Sequence, residues 1–142
     1  MTKTKRYAAI GIAVLGLCLA GSVVTRADAQ DNAVQAAKAW VALVDAGQYG
    51  ESWETAAVLF KNATAKKQWE QTLAAVRKPL GKLVSRELKS KTYRESLPGA
   101  PDGQYVIIQF ATSFANKKSG IETVTPMLDK DGQWRVSGYY IQ

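Results

Sequence analysis

The side chains that could perform acid–base chemistry in this sequence are carboxylates and tyrosines. The chain has no histidine, and Cys18 is its one cysteine, so the usual general base and the usual imidazole metal ligand are missing. A carboxylate beside a tyrosine in an apolar pocket can move a proton, as in some isomerases. The candidates for such a pair are Asp45, Glu54, Glu122, Tyr49, Tyr105 and Tyr140.

No spacing in the sequence joins one of these acids to one of these tyrosines. Asp45 stands beside a predicted helix end and Gly47, which is typical of a cap or a turn. The residue types therefore favour a protein without catalytic activity, and we expect no metal site and no cofactor.

The four tryptophans suggest a second kind of site, an aromatic-lined pocket for a ligand. Each lies on an apolar stripe of a predicted helix or strand, and aromatic side chains dominate the cores of small domains. A core position is the favoured interpretation, although an interior that is not fully filled would let the same side chains line a pocket. The predicted ligand-pocket residues are Trp40, Tyr49, Trp53, Arg86, Glu122, Trp134 and Tyr140.

A basic segment over 77–94 holds seven cations against Glu87. It could face acidic polysaccharide, lipid head groups or an acidic partner. The favoured alternative is a solvated strand that follows a helix end, where cations complement the helix dipole. Arg86 is the exception. The seven cations are Arg77, Lys78, Lys82, Arg86, Lys89, Lys91 and Arg94.

Arg86 is in phase with Val84 and Leu88, so we expect it on the covered face of its strand. A buried guanidinium needs an acidic or carbonyl partner. The candidate partners are Glu54, Glu70 and Glu122.

Three helices are predicted in the first half of the chain. The first covers about 32–46, is capped by Asp31 or Asn32 and ends at Gly47 in a left-handed conformation. Its apolar stripe consists of Val34, Ala37, Trp40, Val41 and Val44.

The second helix lies within 45–60, and the third begins at a Thr64 cap and is ended by Pro79. The stripe of the second helix consists of Tyr49, Trp53, Ala56, Ala57 and Phe60, and that of the third of Trp69, Leu73 and Val76.

Four strands are predicted after the helices. They cover 83–93, 105–114 and two runs between Gly120 and Gln142, and the loop over 96–103 is interpreted as a plain connector. The apolar density of 105–114 predicts a central strand covered on both faces.

The last two strands are predicted to form a hairpin around Asp129-Lys130-Asp131-Gly132, with Gly132 at positive φ. Alternation places Trp134, Val136 and Tyr140 on one buried face. Pro126 puts the preceding strand near an edge or in a bulge.

The first 29 residues predict an export signal. Basic residues among the first six precede an apolar run over 7–24, and a small-x-small pattern ends at Ala29, where we expect cleavage. The alternative is a retained membrane anchor, but the run is near the lower limit for a membrane span. Lipidation at Cys18 is disfavoured because Leu17 is large for the position before a lipidated cysteine.

Cleavage after Ala29 leaves residues 30–142 as a single domain, which is enough for one core. This part keeps 15 basic and 11 acidic residues, a net charge of +4, whereas the full chain carries +7. Export predicts a periplasmic or secreted protein.

The mature sequence resembles a family of exported bacterial proteins catalogued as domain of unknown function 4019. The resemblance is carried by the stretches 45–53, 68–73, 77–88, 97–114 and 122–140. The order of elements resembles that of nuclear transport factor 2-like (cystatin-like) proteins. This implies a cone of three helices on a curved four-stranded antiparallel sheet, and a homodimer built sheet to sheet. The family resemblance brings no activity, ligand or catalytic residue with it.

The predicted function is binding rather than catalysis. We expect a non-catalytic ligand-binding or protein-interaction module of the cell envelope, whose partner is a small apolar or anionic ligand or an envelope protein. Export argues against nucleic acid as a partner, and removal of the signal argues against stable membrane insertion. The alternative is a small isomerase- or hydrolase-like enzyme that uses a carboxylate and a tyrosine in the cone pocket.

Overall fold

The computed structural model of the chain describes residues 21–142, which form four helices followed by four strands. The predicted α+β class, with helices preceding an antiparallel sheet, is confirmed. The predicted signal segment lies mostly outside these residues, as does Cys18. The elements are α1 (Arg26–Asp45), α2 (Tyr49–Glu54), α3 (Val58–Ala63), α4 (Lys66–Leu80), β1 (Leu83–Arg94), β2 (Tyr105–Phe114), β3 (Lys117–Leu128) and β4 (Trp134–Ile141).

Among residues 21–142, no helix has both the length and the apolar character needed to cross a membrane.

Helix α1 begins earlier than its apolar stripe predicts. Thr25 caps it: the Thr25 hydroxyl accepts from the Asp28 N–H at 3.1 Å, and the Asp28 carboxylate accepts from the Thr25 N–H at 2.9 Å. This reciprocal pair is a capping box. The predicted start at 32 and the Asp31 or Asn32 cap are therefore wrong. Ala29 lies buried in the first turn, so the predicted cleavage point falls inside α1.

The C-terminal end of α1 follows the prediction. Gly47 adopts φ 73°, and its N–H donates to the Val44 carbonyl at 3.1 Å. The Gln48 N–H donates to the Leu43 carbonyl at 2.9 Å, which completes a Schellman motif. The predicted stripe of α1 is buried, as expected for the helix that covers the sheet.

The region predicted as a second helix is two short helices, so the prediction of three helices is wrong. The chain breaks over 55–57, between α2 and α3, where the Ala57 N–H donates to the Val136 carbonyl of β4 at 2.8 Å. This bond to a sheet edge replaces one that a continuous helix would make. Helix α4 starts after Ala65 rather than at a Thr64 cap, and it ends at Leu80, one residue beyond Pro79.

The sheet has the order β1-β2-β3-β4 with antiparallel neighbours, and α1 packs across one face of it. The inward residues of β2 are buried, but Ala111 on the opposite face is exposed and its outward neighbours are only partly covered. β2 is central as predicted, but the expectation that both its faces are covered is wrong. The inward residues are Val106, Ile108, Phe110, Thr112 and Phe114.

A β-bulge in β4 reverses the predicted orientation of its last residues. Thr125 pairs with Gly138 whereas Pro126 pairs with Val136, which leaves Ser137 as an extra residue. One extra residue exchanges the two faces of everything that follows. Tyr139 therefore points inward, and Tyr140 points outward and is 52% exposed, so its predicted buried position is wrong.

The hairpin that precedes this bulge is confirmed. Gly132 has φ 81°, and its N–H donates to the Asp129 carbonyl at 2.9 Å. The bulge opposite Pro126 agrees with the prediction of an edge or a bulge there.

Aromatic side chains fill the space between the helices and the sheet. Trp69 lies 6.1 Å from Trp40 and 4.8 Å from Phe60, measured between ring centroids, and Trp40 meets Tyr139 edge-on at 5.2 Å. Offset and edge-to-face contacts of this kind stabilise a core beyond the area they bury. The interior of the molecule is thus a packed core at the level of these rings.

Candidate functional site

Four charged side chains meet between the inner face of the sheet and the C-terminal ends of α1 and α4. Arg86 Nη1 donates to Asp45 Oδ2 at 2.6 Å, and Arg86 Nε donates to Glu122 Oε1 at 2.7 Å. Arg77 Nη2 donates to Asp45 Oδ1 at 2.8 Å. The two cations and two anions form what we call the ion cluster, which has no net charge.

Glu122 lies at the centre of the ion cluster and is completely buried. Its Oε1 also accepts from the Thr112 hydroxyl at 2.6 Å, and its Oε2 accepts from Arg86 Nη2 at 3.2 Å and from the Tyr139 hydroxyl. Each oxygen therefore has two donors. A carboxylate held in this way has no free lone pair directed at a ligand.

The surroundings of the ion cluster fix its protonation states. Burial alone would raise the pKa of Asp45, but hydrogen bonds from Arg86 and Arg77 outweigh burial and hold that pKa below its ordinary value. Burial also opposes the charge on Arg86, yet its bonds to Asp45 and Glu122 raise the pKa of the guanidinium. Burial and the Glu122 charge raise the pKa of Tyr139, so its hydroxyl remains a donor.

Arg77 is buried, contrary to the prediction that it is a helix-end cation in solvent. Its side chain is 5% exposed, and its guanidinium carbon lies 4.8 Å from the centre of the Phe114 ring. Within residues 21–142, its Nε and Nη1 have no hydrogen-bond partner. The cation is thus held by one carboxylate and by one aromatic face.

Arg86 has the partner that the sequence predicts. Glu122 is confirmed as that partner, whereas Glu54 pairs with Lys66. The predicted common phase of Arg86 with Val84 is wrong, because Val84 sits at a bulge of β1 and is 68% exposed. Arg86 points inward because it pairs with Thr112, an inward residue of β2.

The three carboxylates proposed for acid–base chemistry are all ion-paired. Asp45 and Glu122 belong to the ion cluster, and Glu54 pairs with Lys66. The hydrogen bond and charge of Lys66 lower the pKa of Glu54. The pKa values of Asp45 and Glu54 are lowered, whereas a general base requires a raised one.

The predicted tyrosine donors are spread over the molecule. Tyr49 packs against the core, the Tyr105 hydroxyl donates to the Pro101 carbonyl at 2.6 Å, and Tyr140 lies on the outer face of the sheet. Among residues 21–142, the tyrosine that hydrogen-bonds a carboxylate is Tyr139. Sequence reasoning missed it because Pro126 indicates an edge or a bulge but not that the extra residue is Ser137 of β4.

The predicted pocket residues do not surround one cavity. Trp40 is buried and its indole N–H donates to the Ser52 carbonyl at 2.8 Å, and that of Trp53 donates to the Thr64 carbonyl at 2.7 Å. Trp134 lines two surface cavities beside α1, with volumes of about 570 and 370 Å³. The tryptophans therefore contribute mainly to the core and to the contact between α1 and β4.

The basic segment 77–94 does not form a single strip. Arg77 and Arg86 are in the ion cluster, and Lys91 Nζ pairs with Asp31 at 2.5 Å. The neighbouring cations thus point to different parts of the molecule, because strand alternation separates residues that are adjacent in sequence.

A groove opens at the opposite end of the sheet, between α3, the β1–β2 loop and the β3–β4 turn. Its volume is about 560 Å³. Three carboxylates and two cations stand among its lining residues: Asp102, Asp129, Asp131, Lys130 and Arg135. Its apolar lining consists of Val58, Leu59, Pro101, Met127 and Leu128. We call this surface the apolar groove.

Comparison with known proteins identifies the family. A family described as a protein of unknown function, DUF4019, matches residues 36–139. The chain belongs to the DUF4019 family. No curated protein and no solved structure matches it.

The matched region of this DUF4019 protein contains both candidate sites. The ion cluster extends from Asp45 to Glu122 and the apolar groove from Val58 to Arg135, all within 36–139. Asp45 is the residue of the ion cluster that a closer sequence argument could have found. A carboxylate at the C-terminal end of a helix faces the negative end of the helix dipole and so requires cationic partners.

Proposed function

We propose that this protein is an exported binding module without catalytic activity, and that it holds a small amphiphilic molecule in the apolar groove. The observation that carries the proposal is the apolar groove itself. Its volume of about 560 Å³ falls within the roughly 300–1,000 Å³ of ligand sites, and apolar lining with a few polar groups is their usual composition.

The rim of the apolar groove favours a ligand with a cationic group. Arg135 bonds Asp131 at 2.8 Å and Asp129 at 3.1 Å, so its charge is already used. Asp102 has no ion-pair partner within residues 21–142. With three carboxylates and two cations, the rim keeps one net negative charge. An apolar body with one positive charge complements this surface better than an anionic ligand does.

The alternative of a carboxylate-and-tyrosine enzyme finds no support in the ion cluster. Glu122 has two donors on each oxygen, and the low pKa of Asp45 suits an ion pair. A buried and neutral network whose carboxylates are all ion-paired is suited to fixing a conformation rather than to exchanging protons.

We also propose the nuclear transport factor 2-like cone as the finer description of the fold. Register shifts between β1 and β2 and between β3 and β4 support a curved sheet, because bulges bend strands. Helix α1 packs on the resulting inner face. A crystal structure with a flat sheet would rule this description out.

Export remains a proposal that rests on the sequence of residues 1–29. It predicts that protein accumulated by the producing bacterium begins at Gln30. Intact-mass measurement of the envelope fraction tests this. A mass that includes Met1 in all of the material would contradict it.

Calorimetric titration with three octyl amphiphiles below their micelle concentrations tests the ligand class. Octyltrimethylammonium, octyl sulfate and octyl glucoside share one tail and differ in head group. We expect the cation to bind about tenfold more tightly than the sulfate, a difference of about 1.4 kcal/mol. Equal binding of all three heads would contradict the cationic specificity.

Two variants and a control locate the site. Val58 is 54% exposed in the apolar groove, so Val58→Glu should abolish binding of the neutral tail. Asp102→Asn should remove the preference for the cation. Val84→Glu is the matched control, because Val84 is exposed outside the apolar groove. If Val58→Glu behaves like Val84→Glu, the apolar groove is not the ligand site.

A further inference from the structure

We propose that a basic corner of the molecule docks reversibly on the surface of an anionic phospholipid bilayer. The corner consists of the α4–β1 connection, the β2–β3 turn and the residues that flank them, and its cations are Lys78, Lys82, Lys117 and Lys118. It is separate from the apolar groove and does not depend on the ligand proposed there.

Hydrogen bonds between the two connections hold the basic corner together. The Asn116 N–H donates to the Leu80 carbonyl at 2.9 Å, and the Ala115 N–H donates to the Lys82 carbonyl at 2.8 Å. The Asn116 side-chain amide donates to the Pro79 carbonyl at 3.0 Å. All four lysines lie within two residues of these bonds. The fold therefore brings together cations that are separated by more than thirty positions in sequence.

The charge of the basic corner is not neutralised. Within residues 21–142, none of its four lysines forms an ion pair, whereas Lys66, Lys91 and Arg135 each do. One carboxylate, Glu87, lines a shallow depression of about 240 Å³ beside Lys118 on the outer face of the sheet. Four lysines against one acidic side chain leave a positive excess of side-chain charge, which a surface of anionic head groups complements.

An exposed apolar side chain in the α4–β1 region favours a bilayer over an acidic protein. Val84 follows Lys82 by two residues and is 68% exposed. Interfacial membrane binding combines cations, which meet lipid phosphates, with apolar side chains that enter the boundary of the acyl region. A purely electrostatic contact with an acidic protein would make no use of this valine.

Sedimentation with lipid vesicles tests the proposal. The protein used is the form that accumulates in the producing cells. One vesicle population mixes phosphatidylglycerol with phosphatidylcholine, and the other is phosphatidylcholine alone. We expect at least about tenfold stronger binding to the anionic vesicles, falling as salt rises from about 50 to 300 mM. Equal binding to both vesicle populations would overturn the proposal, because binding that does not depend on lipid charge would come from an apolar segment and not from these lysines.

Matched charge variants separate the basic corner from net charge. Lys82→Glu/Lys118→Glu should weaken binding to anionic vesicles by at least about tenfold. Lys38→Glu/Lys130→Glu changes the net charge equally at exposed positions on α1 and the β3–β4 turn, and should weaken it much less. Equal losses in the two variants would overturn the proposal. Unfolding midpoints of both establish that the fold is intact.

A third variant separates lipid from other polyanions. Val84→Ser should weaken binding to anionic vesicles by about threefold or more while leaving binding to soluble polyglutamate unchanged. If vesicle binding also stays unchanged, the basic corner recognises anionic polymers in general, and an acidic protein replaces the bilayer as its partner.

Discussion

The residues of the ion cluster show how buried charges are stabilised by partners that are distant in sequence. Arg86 contacts carboxylates 41 and 36 positions away in sequence, Asp45 and Glu122. Each charge that leaves water is matched by an opposite charge, and Glu122 also accepts from the Thr112 and Tyr139 hydroxyls, which offsets part of the cost of desolvation. Removing a single member leaves a buried charge without its partner. A single substitution in the ion cluster should therefore lower the free energy of unfolding by far more than an intact ion pair adds to it.

Glu122→Ala should lower the free energy of unfolding by about 3–5 kcal/mol, because it leaves Arg86 with half its acidic partners and Tyr139 without an acceptor. Urea unfolding measures the change. Glu87→Ala is the matched control on the exposed side of β1, with an expected effect below about 0.5 kcal/mol. Similar losses for both would show that the ion cluster is not formed.

Asp45 should make stability depend on pH in the acid range. Its folded pKa lies below the ordinary value of 3.8, so its contribution is fully present above that value and is lost as pH falls through the folded pKa. We expect the stability difference between the wild type and Asp45→Asn to shrink from about pH 5 to pH 3. Urea midpoints at several pH values test this, and a difference independent of pH would contradict it.

Among the elements, β4 shows how one extra residue changes which side chains reach the core. Strand alternation places Trp134, Val136 and Tyr140 on one face, and the bulge at Ser137 gives the inward position to Tyr139 instead. The hydroxyl of Ser137 donates to the Thr125 carbonyl at 2.7 Å, which satisfies part of the interrupted ladder.

Tyr139→Ala and Tyr140→Ala should therefore differ strongly. Tyr139 contacts Trp40 and Glu122, and its loss should cost about 3–5 kcal/mol. Tyr140 is half exposed, and its loss should cost less than about 1 kcal/mol. Chemical unfolding of the pair measures both. The reverse order would mean that the uninterrupted alternation predicted from sequence is correct.

The β3–β4 turn depends on the positive φ of Gly132. Gly132→Ala should destabilise the protein by about 1–2 kcal/mol, because a Cβ is strained in the left-handed region even though open space surrounds it. Gly138→Ala is the control on the same hairpin: its φ is not positive, and the new Cβ would make an ordinary 3.9 Å contact with Thr125. Thermal unfolding compares the two, and equal costs would contradict the turn geometry.

For the molecule as a whole, the middle of the outer face of the sheet is a neutral surface. Outward positions from 107 to 113 on β2 and from 121 to 125 on β3 carry no charge, whereas Glu87 of β1 and Lys118 at the start of β3 lie beside them. Such a face is suited to contact with another protein surface. The outward residues of β2 and β3 are Ile107, Gln109, Ala111, Ser113, Ile121, Thr123 and Thr125.

We predict a homodimer through this outer face. Light scattering should give the mass of two chains, and Tyr140→Lys should shift the protein to one chain by placing a charge in the contact. Val58→Lys is the control, since Val58 is about equally exposed but lies in the apolar groove. A wild-type mass of one chain at every concentration would contradict the prediction.

Local sequence patterns were sufficient to determine much of this fold. Glycines at 47 and 132 take the positive φ that their turns require, and the stripe of α1 is buried as its spacing indicates. The α+β order and the family also follow from the sequence, as does the partnership of Arg86 with Glu122. These features depend on the residues of one turn or one stripe, or on a buried charge that must be paired.

Tertiary structure alone decided which distant residues meet. The break before α3 exists because the Ala57 N–H reaches the β4 edge, and Arg77 is buried because Asp45 and Phe114 surround it. The bulge at Ser137, which carries Tyr139 to Glu122, is set by pairing between strands. The preferences of single residues for helix or strand differ by less free energy than packing and buried hydrogen bonds contribute. Contacts between remote segments therefore determine these positions.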